Sequence, residues 1–167
     1  VERVVIRIPD GTYENYNAVD NVIAYILRLD NIRLVGGYGI ILTNAKDIIR
    51  QFYKVKYYYG KTDGKQIRHY IFSVEKTLYF SPWQVKELGY LLGLYFGNEH
   101  QVVFAVHDDS RHLHIHMGIN TVAYTNGAYR AYWEIEGLRA YAEKCVDLLT
   151  DRVWFGKEMN LGSLKVW

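Results

Sequence analysis

Cysteine, proline and long apolar runs are scarce in this chain, and each scarcity excludes something. The single cysteine, Cys145, rules out an internal disulfide. Its place in an amphipathic helical pattern predicts a buried thiol in a reducing compartment. Two prolines and no low-complexity stretch argue against disorder. No run approaches the ~18 apolar residues of a membrane span, and no signal-peptide pattern precedes the first strand-like segment. Net charge is only +2, so any nucleic-acid binding must rest on local patches and aromatic stacking. At 167 residues, half of them hydrophobic, the chain is expected to form a single domain, 1–167, with a real core. It starts at Val1 without Met and stops abruptly at Trp167, which suggests the N-terminal part of a longer protein.

Tyrosine is abundant. Several of the sixteen sit among lysines, in the run Tyr53-Lys54-Val55-Lys56-Tyr57-Tyr58-Tyr59-Gly60-Lys61. Two readings stay open for this run. It is either a helix with aromatics inward and lysines solvated, or an aromatic–basic patch for nucleic acid.

Histidine is concentrated. His107, His112, His114 and His116 fall within one short run, flanked by apolar segments 101–106 and 117–122. On a strand, His112, His114 and His116 point to one face and Leu113, Ile115 and Met117 to the other. Neighbouring histidines on that face are about 7 Å apart at Cα, so two rings can lean onto one ion. A hairpin of 102–107 with 112–122 brings His107 opposite His114. That is the geometry of an open three-histidine metal site: His107, His114 and His116. His112 lies too far along to share the same ion and becomes a phosphate-contacting or proton-shuttling group. Asp109 is placed to orient a ligand imidazole, and His69 to approach from an adjacent strand. His100 has no assigned role. Three imidazoles suit zinc, manganese, nickel or cobalt.

The remaining pattern alternates strands and helices. Val4–Ile8 reads as a strand ended by Pro9-Asp10-Gly11. Asn15 or Asn17 caps a helix to about Leu29, and Thr43 or Asn44 caps a second to about Tyr58. The glycine-rich segment 35–40 reads as a strand or irregular edge. Gly60-Lys61-Thr62 lacks the upstream glycine of a phosphate loop. Residues 66–74 form a strand, Ser81-Pro82 opens a helix to about Phe96, and 101–107 and 112–124 are strands. Asn126-Gly127 is a turn, 129–133 a short strand, and 135–149 a helix; the last segment is ambiguous. The predicted fold is α+β, an α/β sandwich. Its central, mainly antiparallel sheet has about five strands and is covered by helices, with the histidine strand in the middle.

The pattern His107-x-Asp109-x-x-His112-x-His114-x-His116, followed by Asn120, resembles the third motif of relaxases, the plasmid mobilisation nucleases of the HUH endonuclease superfamily. Ala24-Tyr25-Ile26-Leu27-Arg28 in an N-terminal helix is similar to their first motif. Arg68-His69-Tyr70-Ile71-Phe72-Ser73 is similar to their histidine-bearing strand. The resemblance covers roughly residues 1–150. It implies a metal-dependent single-strand DNA endonuclease and strand transferase that nicks and rejoins DNA at a transfer origin in conjugative mobilisation. A tyrosine becomes joined to the 5′ phosphate, and here that tyrosine is Tyr25, with Tyr16 and Tyr38 as fallback candidates. Mn2+ or Mg2+ is the implied ion, and the implied setting is the bacterial cytoplasm. Accessory DNA-binding proteins and a coupling protein are implied partners.

The residues make chemical sense of this. Neutral imidazoles leave an ion its full charge to polarise a phosphoryl oxygen. Arg28, three residues after Tyr25, shares its helix face and can stabilise phenolate or bind phosphate. Lys54, Lys56, Lys65 and Arg68 are candidate phosphate contacts, and Asn120 a backbone or DNA partner. Rival readings are a histidine-triad nucleotide hydrolase on His112-x-His114-x-His116, an origin-binding module without cleavage, and a replication initiator or transposase of the same superfamily. The last usually carries its tyrosine after the histidine pair, whereas Tyr25 precedes it here.

Overall fold

Strand alternation sorts this chain's apolar and polar residues onto two faces of one sheet. A computed structural model describes residues 2–29, 31–109 and 111–155, the last four as backbone alone. Five strands, β1 (Val4–Arg7), β2 (Val35–Tyr38), β3 (Ile67–Val74), β4 (His100–His107) and β5 (His114–Ala123), pair antiparallel throughout. Their order is β1-β3-β5-β4-β2, so the histidine strand is central, as expected. The helices are α1 (Ala18–Ile26), α2 (Ala45–Tyr58), α3 (Pro82–Gly97) and α4 (Ile135–Phe155).

Residues opposite one another across an antiparallel pair share a face. Phe72, Ile115 and Val106 form one such row, and Tyr70, Met117 and Phe104 the next. These pack under α3 and α4 with Leu88, Leu92, Leu138 and Val146 in the larger core. Phe104 fills the space that a Cβ on Gly36 or Gly89 would occupy, which lets α3 lie close on the sheet. Cys145 is buried in this core, as its pattern predicted, and burial pushes its thiol up to about 11. The opposite face carries Ile67, Val103 and Ala105 under α1 and α2.

Local signals set the helix ends. Ser81 and Gln84 exchange side chain–backbone bonds in a capping box at 3.2 and 2.8 Å, with Pro82 in the first turn. Asn44 Oδ1 accepts from Asp47 N at 2.9 Å and starts α2. Four boundaries differ from the sequence expectation, the first being that α1 stops at Ile26 rather than about Leu29. The histidine strand begins at His114, because Arg111 and His112 belong to the polar loop before it. Residues 129–133 form only an isolated bridge, Val122↔Tyr129, because Arg130 and Tyr132 bond each other locally. Helix α4 runs to Phe155 rather than Leu149. The ambiguous segment after it lies outside the described residues. No described helix is long and apolar enough to cross a membrane.

The tyrosine–lysine run is a helix to Tyr58, but of its aromatics Tyr53 packs part-buried against the core while Tyr57 and Tyr58 point outward. Ile48, Phe52 and Lys56, spaced by four, form the buried stripe of α2, while Tyr57 and Tyr58 are exposed. Lys56 is therefore 1% exposed. Its ammonium donates to Gln66 O at 2.6 Å and Asn120 Oδ1 at 2.7 Å. Asn120 Nδ2 donates in turn to Phe52 O and Gln101 Oε1. Burial pushes Lys56 down to about 7.

This has a pH consequence. Above pH 7 the folded protein sheds the Lys56 proton while the unfolded chain keeps its own until above pH 10, so folding becomes more favourable as pH rises. Between pH 7 and 9 the wild type should gain roughly 2 kcal/mol relative to Lys56→Met, read by urea unfolding. Parallel pH profiles for the two proteins would contradict a desolvated ammonium.

Candidate active site

The site is assembled where the end of α1 meets the polar rows of the sheet. One row runs Val5, Ser73, His114, His107, the next Arg7, Ile71, His116, Ala105, and the third begins His69, Gly118, Val103. All three rows face α1. Val19, Val22, Ile23 and Ile26 form that helix's buried stripe. Its last turn settles over Gly118, where an added Cβ would come within 3.0 Å of Ile26 Cδ1 and Ile67 Cδ1. Tyr25, next to the stripe, is left 45% exposed, with its ring over the histidines.

The tyrosine ring lies 5.3 Å from the His116 ring, 6.1 Å from His107 and 6.2 Å from His69, centre to centre. His107 and His116 stack at 4.0 Å, and His69 and His114 lie 5.6 and 6.3 Å from His116. Thus His107 does lie opposite His114, and His69 does approach from the neighbouring strand.

His107 ties the helix to this cluster. Helix α1 ends at Ile26, leaving its carbonyl without an intrahelical partner. His107 Nε2–H donates to that carbonyl at 2.7 Å. Nδ1 then carries the lone pair and accepts from Arg28 Nη2 at 3.4 Å. Arg28 also pairs with Asp109 at 2.9 Å and lies 4.9 Å over the Tyr25 ring. Asp109 thus acts on His107 through Arg28 and touches no imidazole by a described hydrogen bond. The Arg28 bond holds the Asp109 carboxyl below its usual range.

The imidazoles are neutral at physiological pH. Burial first, then the charges of its histidine neighbours, pushes His116 down to about 3. Burial, with His107 and Arg7, pushes His69 down to about 4. His107 and His114 are lowered chiefly by burial as well.

A divalent ion fits this donor chemistry. His116 Nδ1 and His69 Nε2 are buried without a hydrogen-bond partner, and ligand imidazoles must be neutral. Among the described residues, however, no three His, Cys, Asp or Glu side chains converge on one point at coordination distance. His107 has both nitrogens engaged.

Other expected site residues are placed differently. His112 lies half-buried in the loop before β5, near enough for its charge to lower His114. Lys54 is exposed. Lys56 and Asn120 are inside the α2–sheet network and face no ligand, because α2's helical phase buries Lys56 and β5 is central. Tyr38 is no nucleophile candidate, since it packs on α3 with its hydroxyl donating to Tyr90 O at 2.6 Å. Tyr16 is exposed, and no described ring contact joins it to the histidines. His100 is buried, bonded through Nδ1 to Asn120 O at 2.6 Å and packed edge-on against Trp133.

Sequence reasoning missed Arg7 and Tyr13. Arg7 shares a row with His116, which follows from β1's alternation only once its register is known. Tyr13 reaches His69 at 6.5 Å from a left-handed backbone position, φ 54°, which no periodicity signals.

Residues 25–147 match the family described as relaxase, MobA/VirD2-like, nuclease domain, over more than half of the chain. The chain belongs to that relaxase family. It is thereby an enzyme domain of the kind that nicks DNA in mobilisation, acting on single-stranded DNA and generally with a divalent metal. No curated protein matches the chain.

The His107 arrangement fixes a tautomer. In 15N-resolved NMR of the metal-free protein, His107 should carry its proton on Nε2, with Nδ1 bare. A proton on Nδ1 would contradict the helix-capping role.

Proposed function

We propose that this chain nicks and rejoins one DNA strand at a transfer origin, with Tyr25 as the nucleophile and a covalent 5′-phosphotyrosine as the intermediate. The observation that carries this reading is the exposed Tyr25 ring, held over neutral imidazoles with Arg28 seated on it.

Tyr25 Oη attacks the scissile phosphorus as its own proton departs. The bond between phosphorus and the 3′ oxygen breaks, and that oxygen takes up a proton to become a free 3′ hydroxyl. The reverse attack by a 3′ hydroxyl restores the strand and releases the phenol. A phenolate is a good enough leaving group for this to need no outside energy source. Phenols ordinarily titrate near 10, so the attacking oxygen needs adjacent positive charge. Arg28 supplies it, and Asp109 keeps the guanidinium in place over the ring. Arg7 adds a second cation beside His69 and His114. His112, at the mouth of the loop, contacts phosphate or carries the leaving proton.

A divalent ion, Mn2+ or Mg2+ in use, would be held by His114 and His116 with His69 alongside, and by His107 through Nδ1 where the ion displaces the 3.4 Å Arg28 contact, and would polarise a phosphoryl oxygen. Zn2+, Ni2+ and Co2+ suit the same donors. The buried, unpartnered nitrogens His116 Nδ1 and His69 Nε2 support the neutral ligand set. Lys54 remains a candidate contact for the strand. Accessory DNA-binding proteins and a coupling protein would act with the domain in the bacterial cytoplasm.

Labelled single-stranded oligonucleotides from candidate origins, incubated with Mn2+, should give a heat-stable protein–DNA adduct on a denaturing gel. The adduct should vanish with EDTA and with Tyr25→Phe. Persistence in Tyr25→Phe would move the nucleophile to another tyrosine, Tyr13 first. In the same assay Asp109→Asn should slow adduct formation several-fold while leaving stability essentially unchanged, since an exposed ion pair contributes little to folding. An unchanged rate would remove Asp109 from the account of Arg28. Mn2+ binding measured by calorimetry should weaken at least about tenfold in His116→Ala; equal affinity would exclude His116 as a ligand.

A further inference from the structure

The beginning of β3 is an open sheet edge. Strand β1 reaches β3 only from the Arg7↔Ile71 pair onward, so Ile67–Tyr70 has no strand neighbour on that side among the described residues. Gln66 N donates instead to Tyr13 O at 2.7 Å. Two cations are gathered at this edge. Lys65 is 9% exposed and Arg68 8%. Among the described residues neither has a carboxylate within ion-pair distance. Arg68 Nε is buried with no hydrogen-bond partner.

Aromatic rings surround these charges. Lys65 Nζ lies 5.5 Å from the Tyr13 ring and 5.7 Å from Tyr132. Arg68 Cζ lies 5.2 Å from Tyr70 and 5.2 Å from Tyr132. Ring faces attract cations but do not neutralise them. Burial and the neighbouring Arg68 accordingly lower the Lys65 ammonium, with Glu14 opposing. Two desolvated like charges without a counter-ion are costly unless an anion completes the site.

The backbone around them is fixed. Lys65 N donates to Tyr129 Oη at 2.9 Å, and Lys65 O accepts from Thr121 Oγ1 at 2.6 Å. The buried Lys56 ammonium holds the next carbonyl, that of Gln66. Tyr132, 67% exposed, forms the outer wall, its carbonyl held by Arg130 Nε at 3.0 Å. The edge also connects to the candidate nucleophile. Tyr13 touches His69, and His69 touches Tyr25.

We propose that Tyr13, Lys65, Arg68 and Tyr132 form a subsite for a nucleotide flanking the scissile position, in which the two cations take a backbone phosphate and Tyr132 stacks a base. The subsite rests on the single-strand DNA reading but not on Tyr25 being the nucleophile. Every base has a stackable face, so this contact would hold the strand without reading its sequence.

Equilibrium binding tests it on the whole chain, with EDTA present and a pool of labelled single-stranded oligonucleotides as probe. Tyr132→Ala should weaken binding roughly 5- to 150-fold, the range for one lost stack, and Tyr132→Trp should restore it. An abasic oligonucleotide should show no difference between wild type and Tyr132→Ala. Lys65→Met should lower the slope of log affinity against log salt by about 0.7. Tyr79→Ala, another exposed tyrosine, should bind as wild type. Wild-type affinity in Tyr132→Ala would overturn the subsite, as would an equal loss in Tyr79→Ala or on abasic strands. If Lys65→Met fails to fold, the exposed Tyr132 variants decide alone. An adduct in the cleavage assay with unchanged Tyr132→Ala binding would sink the subsite and leave the catalytic reading standing. Loss of binding in Tyr132→Ala with no adduct would do the reverse.

Discussion

The hydrogen bond from His107 to the last carbonyl of α1 is the contact on which the site depends. A helix must satisfy its terminal carbonyls, and a central strand must do something with a polar residue on a buried face. Here each solves the other's problem. The bond fixes the helix end over the sheet, which puts Tyr25 above His116. It fixes the imidazole tautomer, which turns a lone pair toward Arg28. Arg28 in turn sits on the Tyr25 ring and holds Asp109. The absence of a side chain at Gly118 allows the approach. A nucleophile candidate from the N-terminal helix, a histidine from β4 and an acid from the following loop are thereby joined through a few short contacts.

The distribution of charge follows the same economy of place. Net charge is nearly balanced, yet around the site the Arg28–Asp109 pair stands beside cations with no described ion pair. Arg7, Lys65 and Arg68 lack described carboxylate partners, while the described ion pairs of Arg3 and Arg139 lie on α4 and its neighbours. Local excess rather than global excess is what a polyanion meets at short range, where screening by salt is least effective. Lys56 illustrates the opposite use of a cation. It is buried among carbonyl and amide oxygens and fixes the segment that carries Lys65.

Much of this was legible in the sequence because periodicity and pairing are local. The strict alternation of His114 and His116 with Ile115 and Met117 gave the two faces of β5. The polar loop 108–111 between two apolar runs pointed to the hairpin, and with it to the His107–His114 pair. Tyr25 and Arg28 were found through their resemblance to the relaxase motif and their spacing on one helix face. What was not legible depended on register or helical phase. Lys56 reads as a solvated lysine until the Ile48–Phe52–Lys56 stripe is known to be the buried one. Asn120 reads as a backbone or DNA partner until the phase of α2 that sets Lys56 against it is known. Tyr13 lies in an irregular segment between β1 and α1, where no repeat constrains which way a ring turns. Arg7 needed the β1–β3 register. Tyr38 lost its candidacy because β2 presents it to α3.

The central claim is that the chemistry runs through the phenol of Tyr25, and the most direct measurement is its covalent state. An adduct formed on a single-stranded origin oligonucleotide, trimmed by nuclease and digested with protease, should yield one nucleotide-bearing peptide in tandem mass spectrometry. The account predicts that the added nucleotide maps to Tyr25, through its 5′ phosphate. A nucleotide mapped to Tyr13, Tyr16 or any residue other than Tyr25 would contradict it.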